Sequence, residues 1–202
     1  KKYGDARRSE IILYGDDISY EDMIAEEDVV VTISHLGYIK RTSLTEYKTQ
    51  NRGGKGSQGG KTRDEDFIEH LFVASTHNYL LLFTEQGKCY WLKVYEIPVG
   101  NKTSKGRPIQ NIINIAQDDK IKAFINVANL KDETFLETHF IVMATKRGTV
   151  KKTSIREYSR PRSNGVNAIT VREGDELITA ALTNGKCEII IEKKKGYAVR
   201  FN

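Results

Sequence analysis

The chain has 202 residues, of which 39% are hydrophobic and 29% charged, a balance that supports a folded core and argues against a disordered polypeptide. No apolar run approaches the length of a membrane-spanning helix, and no signal-peptide pattern opens the sequence. The net charge of +5 hides an asymmetry: residues 1–28 carry nine acids against four bases, so that segment is −5 and the remaining 174 residues are +10. An excess of that size suits a polyanionic partner, and solubility is the plainer use of the same charge.

Taken in order, the opening K-K-Y-G-D-A-R-R-S-E has no counterpart later in the chain. Residues 1–18 are expected to be a linker and residues 19–202 the folded part, both ends being cuts in something longer. S-Y-E-D-M-I (19–24) predicts a single capped helical turn. From there the sequence repeats itself. V-V-V-T-I-S-H-L-G-Y-I-K-R-T (29–42), Y-L-L-L-F-T-E-Q-G-K-C-Y-W-L (79–92), F-I-V-M-A-T-K-R-G-T-V-K-K-T (140–153) and I-I-I-E-K-K-K-G-Y-A-V-R-F (189–201) share one plan. Each is an apolar β-rich run, a short polar turn, a glycine (Gly37, Gly87, Gly148, Gly196) and a second strand. Glycine at that place supplies the positive φ of a β-hairpin closed by a type I turn and a bulge.

The likeness continues past the hairpins. T-S-L-T-E-Y (42–47), L-K-V-Y-E-I (92–97) and T-S-I-R-E-Y (153–158) correspond, and each is followed by a loop with glycine and bases: 48–63, 101–107 and 159–165. Next come an acidic turn and another apolar strand, at 64–74, 118–127 and 173–182. One unit is therefore roughly 50–60 residues by internal repetition. The first strands (Leu80 to Phe83, Ile141 to Ala144) are nearly continuous apolar runs, the mark of strands buried on both faces. Small sheets stacked face to face give that burial. The predicted class is all-β, a propeller-like repeat of four-stranded blades with little helix.

Candidate chemistry is sparse. K-G-S-Q-G-G-K-T (55–62) comes within one residue of the phosphate-loop pattern, but Lys55 stands where the first glycine is required. A polar stretch precedes it and Arg63-Asp64-Glu65-Asp66 follows, where a strand and a helix are needed. His35, His70, His77 and His139 show no metal-ligand spacing, and His35 is expected to be a solvated turn residue. Cys89 and Cys187 form no C-x-x-C pair, and a reduced, cytoplasmic protein is the simplest expectation. Asp64 with Asp66, and Asp118 with Asp119, recur at one place in the unit, which is turn chemistry and not a catalytic pair. Tyr47 and Tyr158 are equivalent positions, which points to packing or a shared hydrogen bond. No catalytic or metal-binding residue is assigned, and no cofactor is expected in this chain.

The bases, in contrast, recur with the repeat. They lie on the second strands (Lys40, Arg41; Lys93; Lys151, Lys152; Arg200) and in the loops (Lys48, Arg52, Lys55, Lys61, Arg63; Lys102, Lys105, Arg107; Arg160, Arg162). Stacked blades would bring corresponding positions side by side as a positive band. Lysine and arginine among glycines suit the backbone of duplex DNA, contacted through phosphates with little base readout.

Gln50-Asn51-Arg52-Gly53-Gly54-Lys55-Gly56 closely resembles the seven-residue box Q-R-R-G-G-K-G of the gyrase A C-terminal domain family, with Asn51 in place of an arginine. D-V-V-V-T-I-S-H-L-G-Y-I-K-R-T, R-D-E-D-F-I-E-H-L-F-V-A-S-T-H and P-R-S-N-G-V-N-A-I are similar to that family as well. The resemblance implies a β-pinwheel, a disc of hairpin-swapped blades whose basic rim wraps duplex DNA with a fixed hand. It further implies a DNA gyrase holoenzyme of two A and two B subunits that introduces negative supercoils, with ATP and Mg2+ acting elsewhere and the cleavage tyrosine in a core outside this chain. Two other readings stay open: the equivalent domain of the topoisomerase IV C subunit, whose box is usually degenerate, and a propeller-like protein-interaction module without a DNA role.

Overall fold

The computed structural model describes residues 20–47 and 65–201. The expected linker at 1–18 lies outside them. Tyr20–Met23 form one 3-10 turn, where a capped helical turn is predicted. In the first unit β1 (Asp28–Ser34) and β2 (Tyr38–Ser43) make a hairpin, and β3 (Ile68–Ser75) returns antiparallel to β1. The second unit repeats this with β4 (Tyr79–Thr84), β5 (Lys88–Lys93), the two-residue β6 (Arg107–Pro108) and the return strand β7 (Ile121–Val127). A short helix, α1 (Glu133–Thr138), leads into the third: β8 (Phe140–Thr145), β9 (Val150–Ser154), the two-residue β10 (Val166–Asn167) and β11 (Leu177–Thr183). A last hairpin pairs β12 (Ile189–Glu192) with β13 (Ala198–Phe201).

The four predicted hairpins are present, and their turns are built alike. In the first three, the glycine N–H bonds back to the carbonyl three residues earlier, Gly37 to Ser34, Gly87 to Thr84 and Gly148 to Thr145, each at 2.9 Å. The glycines have φ of +80, +85 and +92°. A side chain with Cβ would be strained there, and the bulge that glycine allows matches the twist of the strands. The hydroxyls of Ser34, Thr84 and Thr145 accept from the N–H of Tyr38, Lys88 and Thr149 at 3.1–3.2 Å and tighten the same turns.

The recurring acids pin those turns to the return strand. Asp66 Oδ1 accepts from the N–H of Leu36 and of Phe67, Asp119 Oδ1 from Gln86 and Lys120, and Asp175 Oδ1 from Arg147 and Glu176, all at 2.9–3.1 Å. The turn reading of Asp66 and Asp119 therefore holds, and Asp64 lies outside the described residues. A carboxylate that takes two backbone N–H groups leaves fewer donors without partners at the sheet end.

Burial explains why the sheets stack. Leu80, Leu81, Leu82 and Phe83 on β4 are all fully buried, which alternation in a strand makes possible only if both faces are covered. Leu80 and Leu82 pack with Val29, Val31, Ile33 and Ile39 of the first sheet. Leu81 and Phe83 pack with Ile141, Met143, Leu177 and Tyr158 of the third. The second sheet is the wall between two cores, and each such side chain contributes on the order of 1.5–3 kcal/mol by leaving water.

Two details depart from the sequence reading. Helix α1 is unforeseen; Asp132 caps it by accepting from the N–H of Phe135 at 3.2 Å, and Leu136 anchors it in the core. His35 is more than a solvated turn residue: its ring stacks on Phe67 at 4.8 Å, with Nδ1 3.2 Å from Glu69 Oε2.

Removing a pinning carboxylate should be felt at once. Asp119→Ala is expected to lower unfolding stability by about 1–3 kcal/mol, whereas Asp119→Asn, which keeps an acceptor oxygen, should lose much less. Equilibrium denaturant titration of both variants distinguishes a hydrogen-bonding role from a role of the charge.

Candidate nucleic-acid interface

Each basic loop within the described residues lies at a junction between units. In sheet order β3-β1-β2-β6 the last strand comes from the second unit's loop, and in β10-β5-β4-β7 the first comes from the third unit's. The register is the same at both junctions. Arg107 and Pro108 face Ile39 and Tyr38, while Val166 and Asn167 face Cys89 and Lys88. One residue further on, Ile109 N–H reaches Gly37 O at 2.9 Å, and Ala168 N–H reaches Gly87 O at 2.8 Å.

The glycines just before these exchanged strands permit the close approach. Gly106 and Gly165 have φ of +79 and +69°. A Cβ would lie 2.7 Å from Ile39 O at the first and 2.9 Å from Cys89 O at the second. A side-chain N–H completes each junction: Arg41 Nε donates to Ile97 O and Trp91 Nε1 to Tyr158 O, both at 2.8 Å.

This geometry sorts the candidate bases. Lys40 is 4% exposed, and its ammonium donates to the carbonyls of Asn101, Lys102 and Ser104 at 2.9, 3.1 and 2.8 Å. Burial pushes its pKa below the usual lysine value, with the Glu46 carboxylate opposing part of the shift. A buried ammonium with all three N–H groups bonded has nothing left for a phosphate, so the expected DNA contact at Lys40 is corrected to a structural one. Arg41, half-buried, gives its Nε to the junction. Lys93 is bonded to Glu21 and to His77 O, and lies over the Tyr79 ring.

Other bases remain at the surface. Lys105, Arg107, Arg160 and Arg162 are exposed. Lys102 is half-buried, with its ammonium 4.4 Å from the centre of the Tyr47 ring. Lys151 is exposed and gives one hydrogen bond to Ala168 O at 2.6 Å, while Lys152 lies 4.5 Å above the Phe140 ring. An open depression of about 950 Å³ gathers Lys151, Arg160 and Arg162 with two bases the sequence reading passed over, Lys131 and Arg156. Arg156 is held there by Glu133 at 2.6 Å. Its position in T-S-I-R-E-Y is basic in the third unit alone, so no recurrence marked it, and Lys131 sits in a stretch outside the repeat. The seven-residue box at Gln50 to Gly56 (Gln50, Asn51, Arg52, Gly53, Gly54, Lys55, Gly56) and its neighbours Lys48, Lys61 and Arg63 lie outside the described residues.

Burial pushes the hydroxyl of Tyr158 well above its ordinary range, partly offset by the adjacent Thr153 hydroxyl, and its ring meets Phe83 edge-on at 5.8 Å. Tyr47 stands beside Thr42 in the same way, so the two tyrosines hold equivalent places in the packing. Burial also raises the Cys89 thiol far out of the reactive range. Among the described residues no group of three His, Cys, Asp or Glu is placed to hold a metal, and no helix is long and apolar enough to cross a membrane.

A repeat of small antiparallel sheets, two of them completed by a strand from the next unit, defines a protein of the β-propeller-like class. A family model described as "DNA gyrase C-terminal domain, beta-propeller" matches residues 28–75, 78–128 and 139–184, the three units found above, and the chain belongs to that family. It is 46% identical over 200 residues to the DNA gyrase A protein of Neisseria gonorrhoeae, covering 99% of this chain and 21% of that protein. To the DNA gyrase A protein of Escherichia coli (strain K12) it is 44% identical over 200 residues, covering 99% of this chain and 22% of that one. The chain thus spans about a fifth of the length of these relatives. Among solved structures, the C-terminal domain of DNA topoisomerase IV superposes with a TM-score of 0.73 at 30% identity, covering 89% of this chain and 53% of that one. The DNA gyrase A C-terminal domain does so at 0.63 and 28%, covering 87% and 55%. The two share the fold, and the family match and the sequence relatives separate them in favour of gyrase A.

The junction glycines give a direct test. Gly106→Ala should lower stability by at least about 2 kcal/mol, since the left-handed backbone alone costs roughly 1–2 kcal/mol and the new Cβ also overlaps Ile39 O. Denaturant unfolding reads it. Gly148→Ala, strained in φ but with open space around it, should cost less.

Proposed function

We propose that this chain binds duplex DNA without sequence preference and wraps it, as the C-terminal domain of a gyrase A protein. The observation that carries the reading is the return of exposed bases at equivalent junctions between units: Lys105 and Arg107 in the second, Arg160 and Arg162 in the third. Bases spaced by the repeat of a stacked fold can follow a phosphate backbone, and binding of that kind favours DNA that bends along it. Lys102, Lys151 and Lys152 add charge beside them; Arg41, together with the box from Gln50 to Gly56 and Lys48, Lys61 and Arg63, is assigned to the same role from the sequence pattern.

The same family membership supports a larger proposal. The chain serves a type II topoisomerase of two A and two B subunits, in the bacterial cytoplasm, that uses ATP and Mg2+ at sites on other parts of the assembly. Its cleavage tyrosine lies outside this chain. Wrapping with a fixed hand converts strand passage into the introduction of negative supercoils.

Binding to linear duplex DNA should weaken steeply with salt, the logarithm of the binding constant falling by about 0.9 per neutralised phosphate for each tenfold increase in salt. A flat response would fit a protein-interaction module and remove the DNA reading. In the full-length protein, reconstituted with its gyrase B partner, Arg52→Ala with Lys55→Ala should abolish supercoiling while relaxation persists. Supercoiling at the unmodified rate would deprive the box of its assigned part.

A further inference from the structure

The geometry points to a positioning function for Lys40: its ammonium sets the course of the basic loop 101–107 so that the bases of that loop meet DNA together, an inference that rests on the DNA reading of the loop. Three carbonyls from a stretch of four residues, Asn101, Lys102 and Ser104, converge on one nitrogen of the preceding unit. Backbone oxygens from so short a segment can point to one spot only if the segment curls around it.

The curl is reinforced from inside. Asn101 Oδ1 accepts from the N–H groups of Thr103 and Ser104 at 3.1 and 2.8 Å, and Ser104 Oγ donates to Asn101 O at 2.9 Å. From the first unit, Glu46 accepts the Lys102 N–H at 3.3 Å, and the Tyr47 ring lies against the Lys102 ammonium. Lys105 and Arg107 follow directly and are exposed.

Closing the junction does not by itself require a lysine. At the equivalent place in the second unit stands Tyr90, whose ring lies close against Gly165, and the exchanged strand pairs there in the same register. Burying an ammonium is costly unless strong hydrogen bonds compensate, and a neutral side chain fills the site next door. What Lys40 adds is three charge-assisted bonds to this one loop. Tyr90 lacks those donors, and the loop it meets, 159–165, has a different sequence and lines the depression described above.

The test is a mutant cycle in the intact protein that carries this chain, titrated with linear duplex DNA over a series of salt concentrations. The variants are Lys40→Met, the triple Lys102→Ala/Lys105→Ala/Arg107→Ala, and the combination, with thermal melting recorded for each. The triple should lower the salt slope by about 2–3, as lost phosphate contacts require. Lys40→Met should lower it by about 1–2, the combination should match the triple alone, and Lys40→Arg should recover most of the slope. Non-additivity of that kind identifies a residue acting through the loop. If the triple lowers the slope and Lys40→Met leaves it unchanged, or if the two effects add, the positioning function is wrong while the DNA reading stands. If the triple itself leaves the slope unchanged, the DNA reading of this loop fails and the inference falls with it. Should Lys40→Met prevent folding, Lys40→Gln, which keeps a donor, enters the same cycle with the same outcomes decisive.

Discussion

Among the described residues, the second strand of each of the first two hairpins has an outer row of backbone N–H and C=O groups that is met by the loop of the next unit. β6 meets β2 and β10 meets β5 in one register, through no more than two residues each. Most other features of the junction serve this short pairing. Gly106 and Gly165 allow the approach, Arg41 and Trp91 bond the incoming backbone before it arrives, and Ile109 and Ala168 continue the contact past it. An open strand edge invites pairing with other chains, and here the neighbouring unit occupies it.

Two kinds of coupling result between adjacent units, and they act at different places. The exchanged strand ties backbone to backbone at the outer side of a hairpin, while β4, buried on both faces, ties one core to the next through Leu80 and Leu82 on one side and Leu81 and Phe83 on the other. The acidic turns work within a unit instead, fastening hairpin to return strand through Asp66, Asp119 and Asp175. Stability in such a chain is a sum of unit terms and nearest-neighbour terms. Damage at Asp119 belongs to the first kind and damage at Gly106 to the second.

What could be read from sequence was what recurs locally. The glycine of each hairpin, the acidic turn and the doubly buried first strands depend on residues close together, and the repeat displayed them three times over. The exchange between blades was implied by the family resemblance alone, and the residues that make it carried no signal of their own, because two residues in a glycine-rich loop show no alternation and their partners lie about 70–80 residues away. Lys40 escaped for a related reason. From sequence it is a base on a half-exposed strand next to Arg41, and nothing local shows that carbonyls some 60 residues further on will enclose it. Helix α1 was missed because it falls between units, where no repetition helps, although Asp132 followed by Glu133 is a fair cap signal.

Lys40 also changes how charge in this fold should be counted. Ten net positive charges beyond residue 28 read as one electrostatic surface, but the structure divides the bases by the job that position gives them. Lys40 and Lys93 are bound to carbonyl oxygens and, for Lys93, to a carboxylate, and their charge is used within the molecule. Arg107 stands in solvent on the exchanged strand β6, and Lys105, Arg160 and Arg162 are exposed in the loops that lead into the two exchanged strands. The same loop therefore closes one sheet through its backbone and displays charge through its side chains. A loop anchored by backbone pairing holds its bases in a fixed relation to the next set. That fixed relation is what a surface that bends DNA needs and what charges on free loops would lack.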